Sequence, residues 1–242
     1  MLGGLHDMAR HVARVFAQAG ARLIFGYHTQ EEAQAITTDF PTAACIETDL
    51  TAPETLSNIL ANQPFSITII SPGFFSHKPF METGPAEIDA AFSANFEQAT
   101  FAAQAAAKSL ILRGLPGSII FLSSVTSLMP MIETNLTGAS LAAIETIAKM
   151  AAVDLAPHKI RVNVVAAGWL QNNWSEPLIS SDGKMLTVSD IPVGQAGSMQ
   201  SIGDACCFLA SSLAAYITGI VLPVDGGFLL TKSSSKSPYP DA

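Results

Sequence analysis

The 242-residue chain is the length of one α/β domain, a size at which roughly three quarters of the unfolded surface is buried on folding. Hydrophobic residues make up 49% and charged residues 13%, about half the usual charged share, so part of the surface is expected to meet another chain. A formal charge of −8 with 12 basic residues argues against a nucleic-acid surface. No apolar run reaches the eighteen or so residues of a membrane span, and no positively charged start precedes a signal-like core.

Along the chain, helical and strand patterns alternate without a linker or repeat. Met8, Val12, Val15, Phe16 and Ala19 recur at helical spacing within residues 6–19, and Gly20 supplies the stop. Residues 22–27 (RLIFGY) predict a strand, 31–38 a helix, 43–48 a strand and 53–62 a helix. The apolar run 67–71 (ITIIS) is of the kind buried on both faces of a parallel sheet. Residues 86–113 predict a long helical stretch with one break, 118–123 a strand, 137–156 an Ala-rich helix and 160–166 a strand. A helix over 200–213 and a short strand over 221–224 follow.

This order predicts an α/β fold, a Rossmann-like doubly wound parallel sheet with right-handed crossovers. A single domain spans 1–231, and a polar tail occupies 232–242. Such a fold needs a first strand ahead of the first helix, and Met1 and Leu2 leave no room for a full one. That strand lies mid-sheet, so a truncated or missing one leaves a gap beside the strand at Arg22. Either residues upstream complete it, or the chain tolerates the truncation, helped by a partner. Cys45, Cys206 and Cys207 lack metal-ligand spacing and are expected to be buried reduced thiols of a cytoplasmic protein.

Several segments together resemble the short-chain dehydrogenase/reductase family over nearly the whole chain. Residues 118–124 (SIIFLSS) look like the strand that ends in that family's catalytic serine, and 159–168 (KIRVNVVAAG) like its sixth strand and following loop. Residues 216–227 (YITGIVLPVDGG) match its C-terminal motif. Asp49 falls where the family places an acidic residue near the adenine, and Asn95 where it carries an active-site asparagine.

The resemblance also implies a glycine-rich cofactor loop, Thr-Gly-x-x-x-Gly-x-Gly, whose backbone approaches a pyrophosphate at a helix N-terminus. Here Gly3 and Gly4 take the early glycine positions, but Asp7 and Ala9 replace the later two. The Asp7 carboxylate is expected to repel a pyrophosphate and to cap the first helix. The family's Asn-Asn-Ala-Gly has become Ile70-Ser71-Pro72-Gly73, and its later Pro-Gly has become Ala167-Gly168. Tyr27-His28-Thr29 is similar to the loop that distinguishes the two nicotinamide cofactors, and is equally ordinary turn chemistry.

Carbonyl reduction in this family uses a tyrosine as general acid, a lysine one helical turn later that lowers the tyrosine's pKa, and a serine on the preceding strand. Ser124 fits the serine, but the tyrosine and lysine positions hold Thr137 and Leu141. Losing a general acid alone costs typically about 10²–10⁴ in rate, and a threonine hydroxyl is too basic and too short to replace it. His77 follows the fourth strand, with solvent exposure the more ordinary fate of a loop histidine, and Lys149 lies two turns beyond Leu141. Ser124 is expected to satisfy loop backbone groups.

The positions Asn95, Ser124, Thr137 and Leu141 thus read as vestigial catalytic positions, and Gly3, Gly4, Asp7, Ala9 and Asp49 as vestigial cofactor positions. The helix from Thr137 and the helix after Asn95, with Ala99, Ala102, Ala103, Ala106 and Leu110, correspond to helices that pack between subunits in this family. Ala-rich faces also pack well inside one subunit. Trp169, Trp174 and Met185 either line a pocket or cover the cleft.

The expectation is a catalytically inert subunit that assembles with an active, NAD-dependent partner as a heterotetramer. NAD is expected in the partner and no cofactor or metal in this chain. The heteromeric hydroxyacyl-CoA dehydrogenase of anaerobic toluene (benzylsuccinate) degradation has such an arrangement. The rival readings are a cofactor-independent enzyme, as in the related halohydrin dehalogenases, and a small-molecule binder using the vacated cleft.

Overall fold

The computed structural model describes residues 1–171 and 190–230. Among these residues, seven parallel strands are flanked by helices on both faces. The elements run β1 (Leu2–Gly3), α1 (Asp7–Gln18), β2 (Ile24–Tyr27), α2 (Gln30–Asp39), β3 (Ala44–Glu47), α3 (Pro53–Ala61) and β4 (Ile67–Ser71). Then come α4 (Pro85–Phe92), α5 (Gln98–Leu112), β5 (Gly117–Ser124), α6 (Asn135–Leu155), β6 (Ile160–Ala167), α7 (Met199–Ala210) and β7 (Val221–Val224). The doubly wound α/β fold predicted from the sequence is the one observed.

The first strand, expected to be truncated or missing, is two residues long. Leu2 and Gly3 pair in parallel with Ile70 and Ser71 of β4. Met1 continues the register on the other side: its nitrogen donates to the Ile24 carbonyl (2.6 Å), and Gly26 N–H donates to the Met1 carbonyl (2.9 Å). These bonds attach the β2–β3 pair to the strands β1-β4-β5-β6-β7, so the sheet runs β3-β2-β1-β4-β5-β6-β7.

Two apolar layers sandwich this sheet. Leu56 and Leu60 of α3, Ala102, Ala106 and Leu110 of α5, and Leu141, Ile144 and Ala148 of α6 pack on Ile119, Phe121, Val162 and Val164. Val12 and Phe16 of α1 and Ile202, Cys206 and Leu209 of α7 cover Ile69, Ile120, Leu122 and Val165. β5 and β6 are buried on both faces, which is why their sequences are continuous apolar runs and not alternating ones.

Several boundaries move. β2 begins at Ile24, because Arg22 and Leu23 lie ahead of the register with β3. The break in the 86–113 stretch is a π turn over Ser93–Glu97. α7 stops at Ala210, where Ser211 turns extended and caps the short 3-10 turn Ser212–Ala214. Of the three free cysteines only Cys206 is buried, and Cys45 and Cys207 are half-buried. The stretch Asn135–His158 is long and apolar enough to cross a membrane by length and composition, but half of its most apolar part is buried inside the fold, on β5 and β6. It is a core helix.

The contact between α1 and α7 leaves no spare room. A Cβ on Gly203 would lie 2.4 Å from a methyl of Val15. Gly203→Ala is therefore expected to overpack this layer and to cost about 1–3 kcal/mol, read as a lower urea midpoint at unchanged slope. A midpoint equal to that of the unaltered chain would show that the two helices separate freely.

Candidate functional site

The candidate site lies at the C-terminal ends of the strands, where ligands bind in open α/β sheets. Here β1 feeds the loop into α1, β4 feeds the 72–84 loop, and β5 delivers Ser124 opposite the start of α6.

The glycine loop is packed against β4. Gly3 has φ +94°, and a Cβ there would lie 2.1 Å from the Ser71 carbonyl oxygen; one on Gly4 would lie 2.7 Å from the Pro72 oxygen. Gly4 N–H donates to the Ser71 carbonyl (3.3 Å). These glycines serve contact with the adjoining strand. His6 closes the loop: its Nε2 is 2.8 Å from Ser71 Oγ, and its ring stands edge-on to Phe75 with centroids 5.4 Å apart. Burial pushes the His6 pKa down from 6.5 to about 4, against the opposing influences of the Asp7 carboxylate and the Pro72 carbonyl.

Asp7 is not the helix cap expected from its residue type. His6 occupies the cap position with extended backbone and no side-chain cap bond, and Asp7 is the first helical residue, exposed at the positive end of the helix dipole. Ala9 is fully buried. Asp49 is half-buried and accepts bonds from Thr51 Oγ1 (2.6 Å) and Thr51 N–H (2.8 Å), which hold its carboxyl below the usual carboxylate range. Thr29 closes a capping box with Glu32 at the start of α2, so the 27–29 stretch reads as ordinary turn chemistry.

The positions that the sequence singles out as a catalytic set, Asn95, Ser124, Thr137 and Leu141, are each engaged by the protein itself. Asn95 is buried in the π turn; its Oδ1 accepts from Gly73 N–H (3.1 Å) and Phe74 N–H (2.9 Å). Its Nδ2 donates to the Phe74 carbonyl (2.9 Å) and to Ser140 Oγ (3.0 Å). Thr137 Oγ1 accepts from Ser76 N–H (2.9 Å) and donates to the Ser76 carbonyl (3.2 Å). Ser124 Oγ accepts from Thr126 N–H (3.3 Å), the loop-satisfying role expected of it. Leu141 is 0% exposed and sits among the core residues shared by α5, α6 and β5.

Sequence reading missed Glu145, one turn beyond Leu141. It is buried, and its Oε1 accepts from Ser123 Oγ (2.6 Å) and Ser127 Oγ (2.5 Å), tying α6 to the end of β5. The available signal was a carboxylate on the inward face of an otherwise apolar helix. His77 and Lys149 are exposed. Trp169 packs on Val125, Met131, Ile191, Ala196 and Phe228, whereas Trp174, Met185 and the tail from Lys232 lie outside the described residues.

At the far side, Gly168 N–H donates to Val224 (3.0 Å), and a Cβ on Gly168 would lie 2.5 Å from the Asp225 Cα. Asp225 in turn accepts from Gly227 and Leu229 N–H (both 2.9 Å), so the C-terminal motif forms a closed turn beside the site.

The family model described as enoyl-(acyl carrier protein) reductase matches residues 4–229. The chain belongs to the short-chain dehydrogenase/reductase family. It is 30% identical to L-xylulose reductase of Mus musculus over 235 residues, covering 95% of each chain. It is 28% identical to D-erythrulose reductase of Gallus gallus, covering 95% of this chain and 94% of that one. Among solved structures, a short-chain type dehydrogenase/reductase from Mycobacterium marinum superposes with a TM-score of 0.82 at 26% identity, covering 94% of this chain and 92% of that one.

The half-buried His6 gives the loop a pH signature. The unfolded chain takes up a proton near pH 6.5, and the folded ring does so only near 4, so stability present above pH 6.5 is lost as pH falls toward 4. His6→Gln is expected to flatten this part of a plot of Tm against pH. Parallel curves for the two proteins between pH 6.5 and 4 would show that His6 is solvated.

Proposed function

We propose that this chain is a catalytically inert member of the family that assembles with an active, NAD-dependent subunit and supports its fold, as part of a heterotetramer of the hydroxyacyl-CoA dehydrogenase type. The observation that carries the reading is the state of positions 137 and 141. A lysine that holds a nicotinamide ribose and lowers a tyrosine's pKa must reach the cleft, and Leu141 instead lies wholly in the core. The one hydroxyl at the general-acid position is committed to both backbone groups of Ser76.

The residues present do not fit a nicotinamide dinucleotide. Its pyrophosphate needs free N–H groups and no carboxylate at the start of α1, and Asp7 stands there. The loop that would cradle it is packed on β4 and pinned through His6 and Ser71. NAD is therefore assigned to the partner subunit. The relatives named above are reductases, which supports an oxidoreductase setting for the complex.

Association is supported by apolar residues left uncovered. Met150 and Val153 on α6 are 59% and 71% exposed, and Leu112 at the end of α5 is 78% exposed. The small residues of α5 do not contribute. Ala99, Ala102, Ala103, Ala106 and Leu110 are all buried within the chain, which is the intramolecular alternative for an Ala-rich face.

Two measurements test the reading. The purified chain is expected to show no turnover of a β-hydroxyacyl-CoA with NAD, and to co-purify at fixed stoichiometry with an intact family member encoded beside it. Turnover by the chain alone would overturn the proposal. Separately, Leu141→Lys with Thr137→Tyr is expected to leave the chain inactive and to cost about 3–5 kcal/mol by urea denaturation, because it puts an uncompensated ammonium in the core. Restored activity at undiminished stability would show that the family's catalytic pair is still accommodated.

A further inference from the structure

Residues 72–84, thirteen in all, connect β4 to α4, where such connections in α/β folds commonly take about two to six. The regular structure within this loop is the short 3-10 turn Phe80–Glu82. The part nearer β4 is held instead by side chains and carbonyls of the elements around it.

Three attachments follow one another along residues 73–78. At the first, Gly73 and Phe74 N–H donate to Asn95 Oδ1 (3.1 and 2.9 Å), and Asn95 Nδ2 donates to the Phe74 carbonyl (2.9 Å). At the second, Ser76 N–H donates to Thr137 Oγ1 (2.9 Å), which donates to the Ser76 carbonyl (3.2 Å). At the third, Lys78 N–H donates to the Glu133 carbonyl (2.8 Å), and the Lys78 ammonium pairs with Glu87 of α4 (2.8 Å). Asn95 and Thr137 are 1% and 5% exposed, so their bonds are sheltered from water and parting one strands a buried polar group.

Phe75 and Ser76 are consecutive, and they touch opposite sides of the crevice. The Phe75 ring meets the ring of His6, the cap residue of α1, edge-on at 5.4 Å. Ser76 is bonded to Thr137, near the start of α6. A chain advances at most about 3.6 Å per residue, so the start of α1 and position 137 are close enough for two residues to bridge them. A dinucleotide with its pyrophosphate at the first helix and its reacting ring near the general-acid position crosses this same gap. Phe75 and Ser76 stand in it.

We propose that residues 73–78 form a strap closed over the crevice, hinged where Asn95 holds Gly73 and Phe74 and latched where Thr137 holds Ser76. A ligand that reaches from the start of α1 to position 137 must lift Phe75 and Ser76 out of its way. The hinge end adjoins β4 and carries three bonds to one buried amide, so it is the end that stays. The latch end depends on a single hydroxyl, and Lys78 follows it. When the strap lifts, the backbone groups of Ser76 and Lys78 gain water and Phe75 leaves the His6 ring. The strap is independent of the inert assignment: turnover is not among its readouts, and a chain that turned over a substrate would still have to open it.

Amide hydrogen exchange and the His6 titration, both read by NMR on the full chain, test the strap. In the unaltered chain the Ser76 and Lys78 amides are expected to share one opening, with equal protection at least about tenfold below that of Ile120 in β5. Thr137→Val keeps the side-chain shape and removes both bonds to Ser76. It is expected to speed exchange at Lys78, whose own bond to Glu133 it does not touch, by at least about tenfold. It is also expected to raise the His6 midpoint from about 4 toward 6.5, because lifting Phe75 uncovers a ring now set among Ser71, the Pro72 carbonyl and the Asp7 carboxylate. Thr137→Ser, which keeps the hydroxyl, should leave both readouts near their unaltered values. Either Lys78 exchange or the His6 midpoint unchanged in Thr137→Val would overturn the proposal. So would protection of Ser76 and Lys78 equal to that of Ile120 in the unaltered chain, a result that does not depend on any variant folding.

Discussion

Three residues hold the two halves of this sheet together. Met1 binds β2 through two backbone bonds, and Leu2 and Gly3 bind β4, so among the described residues the β2–β3 pair is attached to the other strands through Met1, Leu2 and Gly3. Everything downstream inherits that geometry. The turn out of β1 must bend immediately at Gly3, whose φ of +94° and 2.1 Å approach to Ser71 only glycine tolerates. His6 can then reach Ser71, and α1 starts close against β4. The glycine loop lies against its own sheet, with Gly3 and Gly4 packed on the end of β4.

Internal hydrogen bonds recur across the site. Asn95, Thr137, Ser124 and Asp49 keep side chains able to form hydrogen bonds, and each spends them on backbone or neighbouring side chains of the loops that border the cleft. At the buried Asn95 and Thr137 such bonds hold the loops in place, since removing one partner would leave a buried polar group unsatisfied. Leu141 adds apolar surface beside them, wholly within the core.

Much of this was legible in the sequence because it rests on periodicity. Apolar runs at 67–71, 118–123 and 160–166 marked the buried strands, and strand–helix alternation fixed the parallel topology. The absence of tyrosine and lysine at 137 and 141 was legible because the serine, helix and C-terminal motif pin their spacing. Long-range pairings were not. Nothing local marks Met1 as a strand residue, because its partners lie 23 and 25 residues away. The His6–Ser71 contact spans 65 residues, and the inward Glu145 finds its serines only after β5 and α6 have packed. Asp7 was misassigned as a cap because residue type favours it there, whereas the early turn at Gly3 sets the helix start one residue sooner. The Ala-rich face of α5 likewise has one pattern for two fates, and only packing decides that it faces inward.

The most direct measurement of whether the cleft has been given over to structure is calorimetric titration of the purified chain with NADH and NADPH. No saturable heat up to about 1 mM of either is the expected result, corresponding to less than about 4 kcal/mol of binding. A dissociation constant tighter than about 100 μM for either would show that the loop opens to a dinucleotide despite Asp7, and would contradict the inert assignment.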